Sequence, residues 1–276
     1  MKKIAIIIGG RPQIIKSYPL LLEIKKTRSI KPITLYSGQH YTKSLSHNLV
    51  RDLDLDNLDF VIDSKKKTGQ ELISLIIFEI DQIFTKLRPD ATVVFGDMDT
   101  TLAGAIASIK KNIPVVHVEA GIRSFNVNMK EEQNRIITDH LSRILIVPNK
   151  IAVQNLNREG IVSSSNLKKS NSKIIIEAGD IMLESLLGIT PPKLPDVKDL
   201  ALLTIHRAQN TQSTKQIKKI INHVVKNTKA DKIIFPVHPR TSKMLAGEIL
   251  DKKIQMIAPL AYEKLIKILL QSKMVF

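Results

Sequence analysis

Cysteine is absent from the chain, which excludes disulfides and thiolate metal sites and fits a reducing compartment. Tryptophan is absent too, and aromatics make up only 4% of residues against 43% hydrophobic residues in all. The core is therefore aliphatic, and its many Ile and Val residues suit buried parallel strands. No apolar run approaches the ~18 residues of a membrane span. The opening MKKIAIIIGGRP holds a short apolar run and then a turn, too brief for the apolar core of a signal peptide. A cytoplasmic protein with no membrane partner is the expectation. Acidic residues are scarce, 26 against 42 basic ones, for a net charge of +16. Such an excess raises nucleic acid as a partner. The lysines, however, are scattered in small groups such as Lys168–Lys169 and Lys218–Lys219, with no aromatics between them to stack bases. They read as a solvated basic surface, with no nucleic-acid partner and with a field that favours a small anionic substrate. Several motifs are missing as well: GxGxxG, GxxxxGK[ST], GxSxG and HExxH. Their absence argues against a dinucleotide cofactor, a P-loop, a hydrolase elbow and a zinc site.

What is present is an alternation of short apolar runs with longer amphipathic ones. Strands are expected at 4–8, 33–37, 60–62, 92–95, 114–118, 144–147 and 174–176, and helices at 15–27, 71–87, 100–111, 131–141 and 150–159. That order implies a parallel sheet covered on both faces. Three prolines within 190–195 break the pattern as a linker or surface loop. It then restarts with strands at 200–204, 232–235 and 254–257 and helices at 214–227, near 242–250 and at 262–271. Lys273–Phe276 reads as the opening of a further strand. Two domains are expected, 1–176 and 177–276, the second of them incomplete.

In open parallel sheets ligands bind beyond the carboxyl ends of the strands. After the first strand come Gly9, Gly10, Arg11 and Pro12, then a helix carrying Lys16. The glycines allow close backbone approach, the helix start offers N–H donors to a phosphate, and Arg11 and Lys16 add charge. After the fourth strand, Gly96-Asp97-Met98-Asp99-Thr100 is either a helix cap or a polar ligand site. Glu119 stands at the tip of the fifth strand, placed for proton work. Glu131 and Arg135 share a helix face at i,i+4 and can pair. In the second half, His206-Arg207 and His238 follow successive strands and suit a diphosphate.

The motifs in this order resemble one family. GGRPQIIK, VVFGDMDTTLAGAIA, HVEAGIRS, MKEEQNRIITDHLS, LLTIHRAQN and PVHPR are similar to the segments of the non-hydrolysing UDP-N-acetylglucosamine 2-epimerases. The resemblance implies an α/β, GT-B-like fold: two Rossmann-like, doubly wound parallel-sheet domains with a cleft between them, the second domain binding nucleotide. It implies interconversion of UDP-GlcNAc and UDP-ManNAc by elimination and re-addition of UDP, without NAD or metal, in a homodimer. Carried over by position, Asp97, Glu119, Glu131 and His206 are catalytic. Gly10, Arg11, Lys16, Arg135, Arg207 and His238 bind substrate. Gln209 stands where the family has Glu, and Lys130 where it has Pro. The family's S-G-G-x-x-x-E segment falls beyond Phe276, which leads one to expect weak UDP binding. Alternatives are a hydrolysing relative that releases free ManNAc, a GT-B glycosyltransferase, and an inactive binding protein.

Overall fold

The computed structural model describes residues 1–38, 58–64, 67–164, 172–190, 195–205 and 210–276. The chain divides into two compact units, Met1–Gly188 and Ile189–Phe276.

In the first unit the elements run β1 (Lys2–Ile8), α1 (Arg11–Lys25), β2 (Ile30–Tyr36), β3 (Phe60–Val61), α2 (Gly69–Leu87), β4 (Ala91–Phe95) and α3 (Asp99–Lys110). They continue with β5 (Val115–Val118), α4 (Lys130–Leu141), β6 (Ile144–Val147), α5 (Lys150–Arg158), β7 (Ile174–Glu177) and α6 (Ile181–Ile189). The strands form one parallel seven-stranded sheet in the order β3-β2-β1-β4-β5-β6-β7. The order reverses at β1 and β4, where the crossovers leave to opposite sides and part a crevice above the carboxyl ends. The sheet is aliphatic within: Ala5, Ile7, Leu35 and Val94 pack with Leu72, Ile76, Ile80 and Phe84 of α2 in one buried cluster. The last four recur every four residues, the stripe that lays a helix on a sheet.

The second unit holds β8 (Lys198–Leu202), α7 (Thr214–Asn227), β9 (Lys232–Pro236), α8 (Pro239–Met244), β10 (Ile254–Ile257), α9 (Tyr262–Gln271) and β11 (Ser272–Val275). Its sheet, also parallel, runs β10-β9-β8-β11 and has the same reversal, here beside β8. Leu203, Ile217, Ile221 and Phe235 lie in its core. The strand expected to open at Lys273 is β11, paired parallel along β8.

Three expectations change. The units part after Gly188, not after residue 176. The cause is α6, absent from the expected elements, which belongs to the first unit: Ser185 Oγ donates to Ile15 O at 2.8 Å. Its sequence IMLESLLGI is apolar almost all round, so it carries no amphipathic stripe to announce it. The short helix expected near 242–250 begins earlier, at Pro239, since proline is at home in a first helical turn. Among the described residues no helix is long and apolar enough to cross a membrane.

Candidate active site

The site assembles at the switch point of the first sheet. Gly9 follows β1 with no room for a side chain: a Cβ there would stand 2.7 Å from Thr100 Cβ and 2.9 Å from Gln13 Oε1. Gln13 fills that corner. Fully buried, it donates from Nε2 to Phe95 O at 2.6 Å and to Thr101 Oγ1 at 2.8 Å, tying the start of α1 to the end of β4. Ser37 Oγ, just past β2, meets Thr100 Oγ1 at 2.7 Å. Three strand ends are thereby held together by buried hydrogen bonds, which are directional and costly to leave unmade. The helix start supplies fewer N–H donors than the glycine pair suggests. Gln13 N and Ile14 N both donate to Gly10 O, at 3.0 and 3.1 Å, and Pro12 has no N–H. Positive charge at this end of α1 therefore comes from the side chains of Arg11 and Lys16.

Two ion pairs occupy the crevice. Lys16 Nζ, reaching out from α1, pairs with Glu119 Oε2 just past β5, and the two side chains are only 17% and 13% exposed. Gly96 makes the room, since a Cβ there would lie 3.3 Å from both Glu119 Oε2 and Lys16 Nζ. Gly96 and Glu119 both have left-handed backbone, at φ of 61° and 68°. That is ordinary for glycine and strained for glutamate, a form of strain that gathers at functional sites. The second pair joins Arg135 Nη2 of α4 to Asp97 Oδ2 just past β4. Asn134 Nδ2 donates to Asp97 O at 3.0 Å and to Asp99 Oδ1 at 3.1 Å, so α4 grips this turn twice.

The expected Glu131–Arg135 pairing is corrected. Arg135 turns to Asp97 and, at 3.1 Å, to Glu132 Oε2, while Glu131 is exposed in the first turn of α4. Glu132 is the buried acid. It accepts from Ser124 N at 2.9 Å and Phe125 N at 2.8 Å, anchoring the start of the 124–129 loop. Burial alone would raise its pKa, but these amide donors and Arg135 outweigh burial and hold the carboxyl below the usual range. Spacing by whole turns pointed to Glu131; a carboxylate whose partners are backbone amides of an earlier loop has no spacing to betray it. The capping reading of the Asp97 turn is overturned as well. The residue before α3 is Met98, with no side-chain cap bond, and the Asp97 carboxylate goes to Arg135.

Below these turns lies a buried charged network that spacing did not indicate. His117 of β5 contacts Gly96 O through Nε2 at 2.7 Å and Asp139 Oδ1 of α4 through Nδ1 at 2.6 Å. Asp139 Oδ2 accepts from Gly121 N at 3.1 Å and pairs with Arg123 Nη1 at 2.8 Å. Arg123 also reaches both oxygens of Glu159, at 2.6 and 2.7 Å. Burial raises the Asp139 pKa, but the neighbouring His117 and Arg123 more than offset it and hold the carboxyl below its usual value.

Of the expected site residues, the structure brings Lys16 to Glu119 and Arg135 to Asp97, with Gly10 and Arg11 at the same end of the sheet. His238, in the second unit, is exposed just past β9 and its carbonyl accepts from Ser242 N at 2.9 Å. His206 and Arg207 lie outside the described residues. Among the described residues, no cluster of three or more His, Asp and Glu could hold a metal ion.

A model of the UDP-N-acetylglucosamine 2-epimerase family matches residues 22–276. The chain belongs to the UDP-N-acetylglucosamine 2-epimerase family. It is similar to the UDP-N-acetylglucosamine 2-epimerase of Methanocaldococcus jannaschii, 36% identical over 94% of this chain and 74% of that protein. It is likewise similar to a UDP-2,3-diacetamido-2,3-dideoxy-D-glucuronate 2-epimerase of Pseudomonas aeruginosa, 33% identical over 99% of this chain and 77% of that one. In structure it resembles the M. jannaschii UDP-GlcNAc 2-epimerase solved with UDP-GlcNAc and UDP. The TM-score is 0.81 at 33% identity, over 99% of this chain and 78% of that chain. The α/β architecture with parallel sheets is that of the solved family members.

Proposed function

We propose that the chain interconverts UDP-N-acetylglucosamine and UDP-N-acetylmannosamine by inverting C2 of the sugar. The observation that carries this reading is the pair of carboxylates past adjacent strands, Glu119 on Lys16 and Asp97 on Arg135. Inversion at carbon requires a proton to leave one face and a proton to arrive at the other, hence two acid–base groups. In the proposed course a carboxylate takes the C2 proton while the C1–O bond to UDP breaks, leaving an unsaturated sugar and free UDP. A second carboxyl group, protonated from water, delivers that proton to the opposite face of C2, and a UDP oxygen adds back at C1. Atoms and electrons balance without an external oxidant.

Asp97, Glu119 and Glu131 are the proposed acid–base groups. Lys16, Arg11 and Arg135 counter the charge that grows on the leaving diphosphate, where cations act most strongly. His206, Arg207 and His238 are proposed to add to that charge from the second unit, which on this reading holds the nucleotide. The working form is taken to be a cytoplasmic homodimer.

The P. aeruginosa relative favours a second reading of the sugar alone, a 2,3-diacetamido uronate carried on UDP. Incubation of each UDP-sugar in deuterium oxide separates these readings. Epimerase chemistry yields the C2 epimer still bonded to UDP and carrying deuterium at C2. Free sugar with UDP would instead mark a hydrolase, and recovery of unlabelled substrate would refute the proposal. Glu119→Gln is expected to lower the rate of C2 exchange by about 10²–10⁴-fold, the usual contribution of a positioned acid–base group.

A further inference from the structure

We infer that His117 and Asp139 are positioning residues that lock the Gly96–Asp97 turn and the Glu119–Gly121 turn into one frame, fixing the separation of the two carboxylates. The inference rests on the proposed epimerase reading. Both side chains are 0% exposed, and neither faces the crevice chemistry directly. One carboxylate serves both turns. Through Oδ1 it holds His117, whose Nε2 contacts the carbonyl of Gly96, the residue before Asp97. Through Oδ2 it holds the amide of Gly121, two residues past Glu119. A carbonyl oxygen only accepts, so Nε2 carries a hydrogen and donates. The other ring nitrogen, Nδ1, faces the Asp139 carboxylate, which Arg123 backs.

The rest of the frame is equally constrained. Gly96 N donates to Val118 O at 2.9 Å, and Ala120 N to Ile146 O at 3.0 Å. Asn155 Nδ2 donates to Gly121 O at 3.0 Å. The left-handed Glu119 thus sits in a turn whose neighbours are bonded on both sides. Buried ions are an expensive way to build a core, and well-packed apolar residues often do as well or better. What they cannot supply is direction. Fully satisfied buried networks rigidify their surroundings and specify one arrangement. Here that arrangement sets the two groups between which C2 must fit.

The test uses the full chain, with kcat, KM, deuterium incorporation at C2 and calorimetric UDP affinity read together. His117→Asn leaves an amide for Asp139 but severs Gly96 O, and Asp139→Asn sets a donor against the ring. Each is expected to lower kcat by about a hundredfold, the cost of ångström-scale misplacement, with KM and UDP affinity within about threefold of the wild type. His117→Gln places its amide nitrogen near the Nε2 position and should recover a large part of kcat. Unchanged kcat in both Asn variants overturns the role, as does a parallel loss of kcat and UDP affinity, which marks general structural damage. Absence of C2 exchange in the wild-type chain sinks the epimerase reading instead. Should the variants fail to fold by circular dichroism, the wild type still decides. Nitrogen-15 resonances of the His117 ring must show hydrogen on Nε2, and a bare Nε2 would overturn the frame.

Discussion

At the scale of single residues, the site separates acids that face the crevice from acids that hold it up. Asp97 and Glu119 meet cations at strand ends, whereas Glu132 and Asp139 are buried and bonded to backbone amides and basic groups. The latter two have lowered pKa values in the folded state. A carboxyl whose folded pKa lies below its unfolded one binds fewer protons when folded. It therefore stabilises the fold above the unfolded value and loses that contribution as pH falls through the folded value. The contribution of these two carboxyls to the unfolding free energy from urea titrations should be fully present above about pH 5 and decline below about pH 4, where unfolded carboxyls take up protons. Glu132→Gln should lower stability at pH 7 by about 1.5–3 kcal/mol, the range for hydrogen bonds to a charged group, and shallow the acid decline. An acid limb as steep as the wild type's would show that Glu132 is not one of its sources.

At the scale of elements, the loops past β4 and β5 decide the geometry, and each relies on one glycine. Gly121 has φ of 76°, and a Cβ there would stand 2.5 Å from Ala152 O in α5. Helix α5 therefore lies as close as it does only because that side chain is missing. It is pinned at its start by Asn149, whose side chain accepts from Ala152 N at 3.0 Å. Gly121→Ala combines left-handed strain, about 1–2 kcal/mol, with overpacking of about 1–3 kcal/mol. Chemical denaturation should register a loss on the order of 3 kcal/mol, and C2 exchange should fall with it because Glu119 is two residues away. A variant as stable as the wild type would show that α5 can withdraw freely. Helix α4 is fastened at its other end by Lys173, which donates to His140 O at 2.7 Å and Ser142 O at 2.6 Å. Burial lowers that lysine's pKa, with the negative charge of Asp139 acting against it.

At the scale of the whole molecule, two parallel sheets share one strand order around their switch points but differ in size. Among the described residues the first has seven strands and the second four, with β11 at its edge and Val275 half exposed there. An edge strand presents unpaired backbone groups, and a smaller sheet buries less apolar surface per residue ordered. Native-state hydrogen exchange should protect amides of β1, β4 and β5 more strongly than those of β8 and β11. Equal protection in the two units would show that the second gains stability from beyond its own core.

Much of this was legible in the chain itself. The five apolar residues of β1 followed by Gly-Gly-Arg-Pro, and the Val-Val-Phe-Gly-Asp of β4, declare buried parallel strands that end in turns. Local pattern and motif order thereby determined the fold class and most elements, and they singled out Lys16, Asp97, Glu119 and Arg135, which the fold joins in two ion pairs. Pairing was not legible. Arg135 chooses Asp97 over the helical neighbour Glu131, and Asp139 reaches across 22 residues of sequence to His117. Periodicity reports which residues share a face of one element. Which faces meet depends on the order of strands in the sheet and on the few glycines that let backbones approach, and those are settled only when the chain is folded.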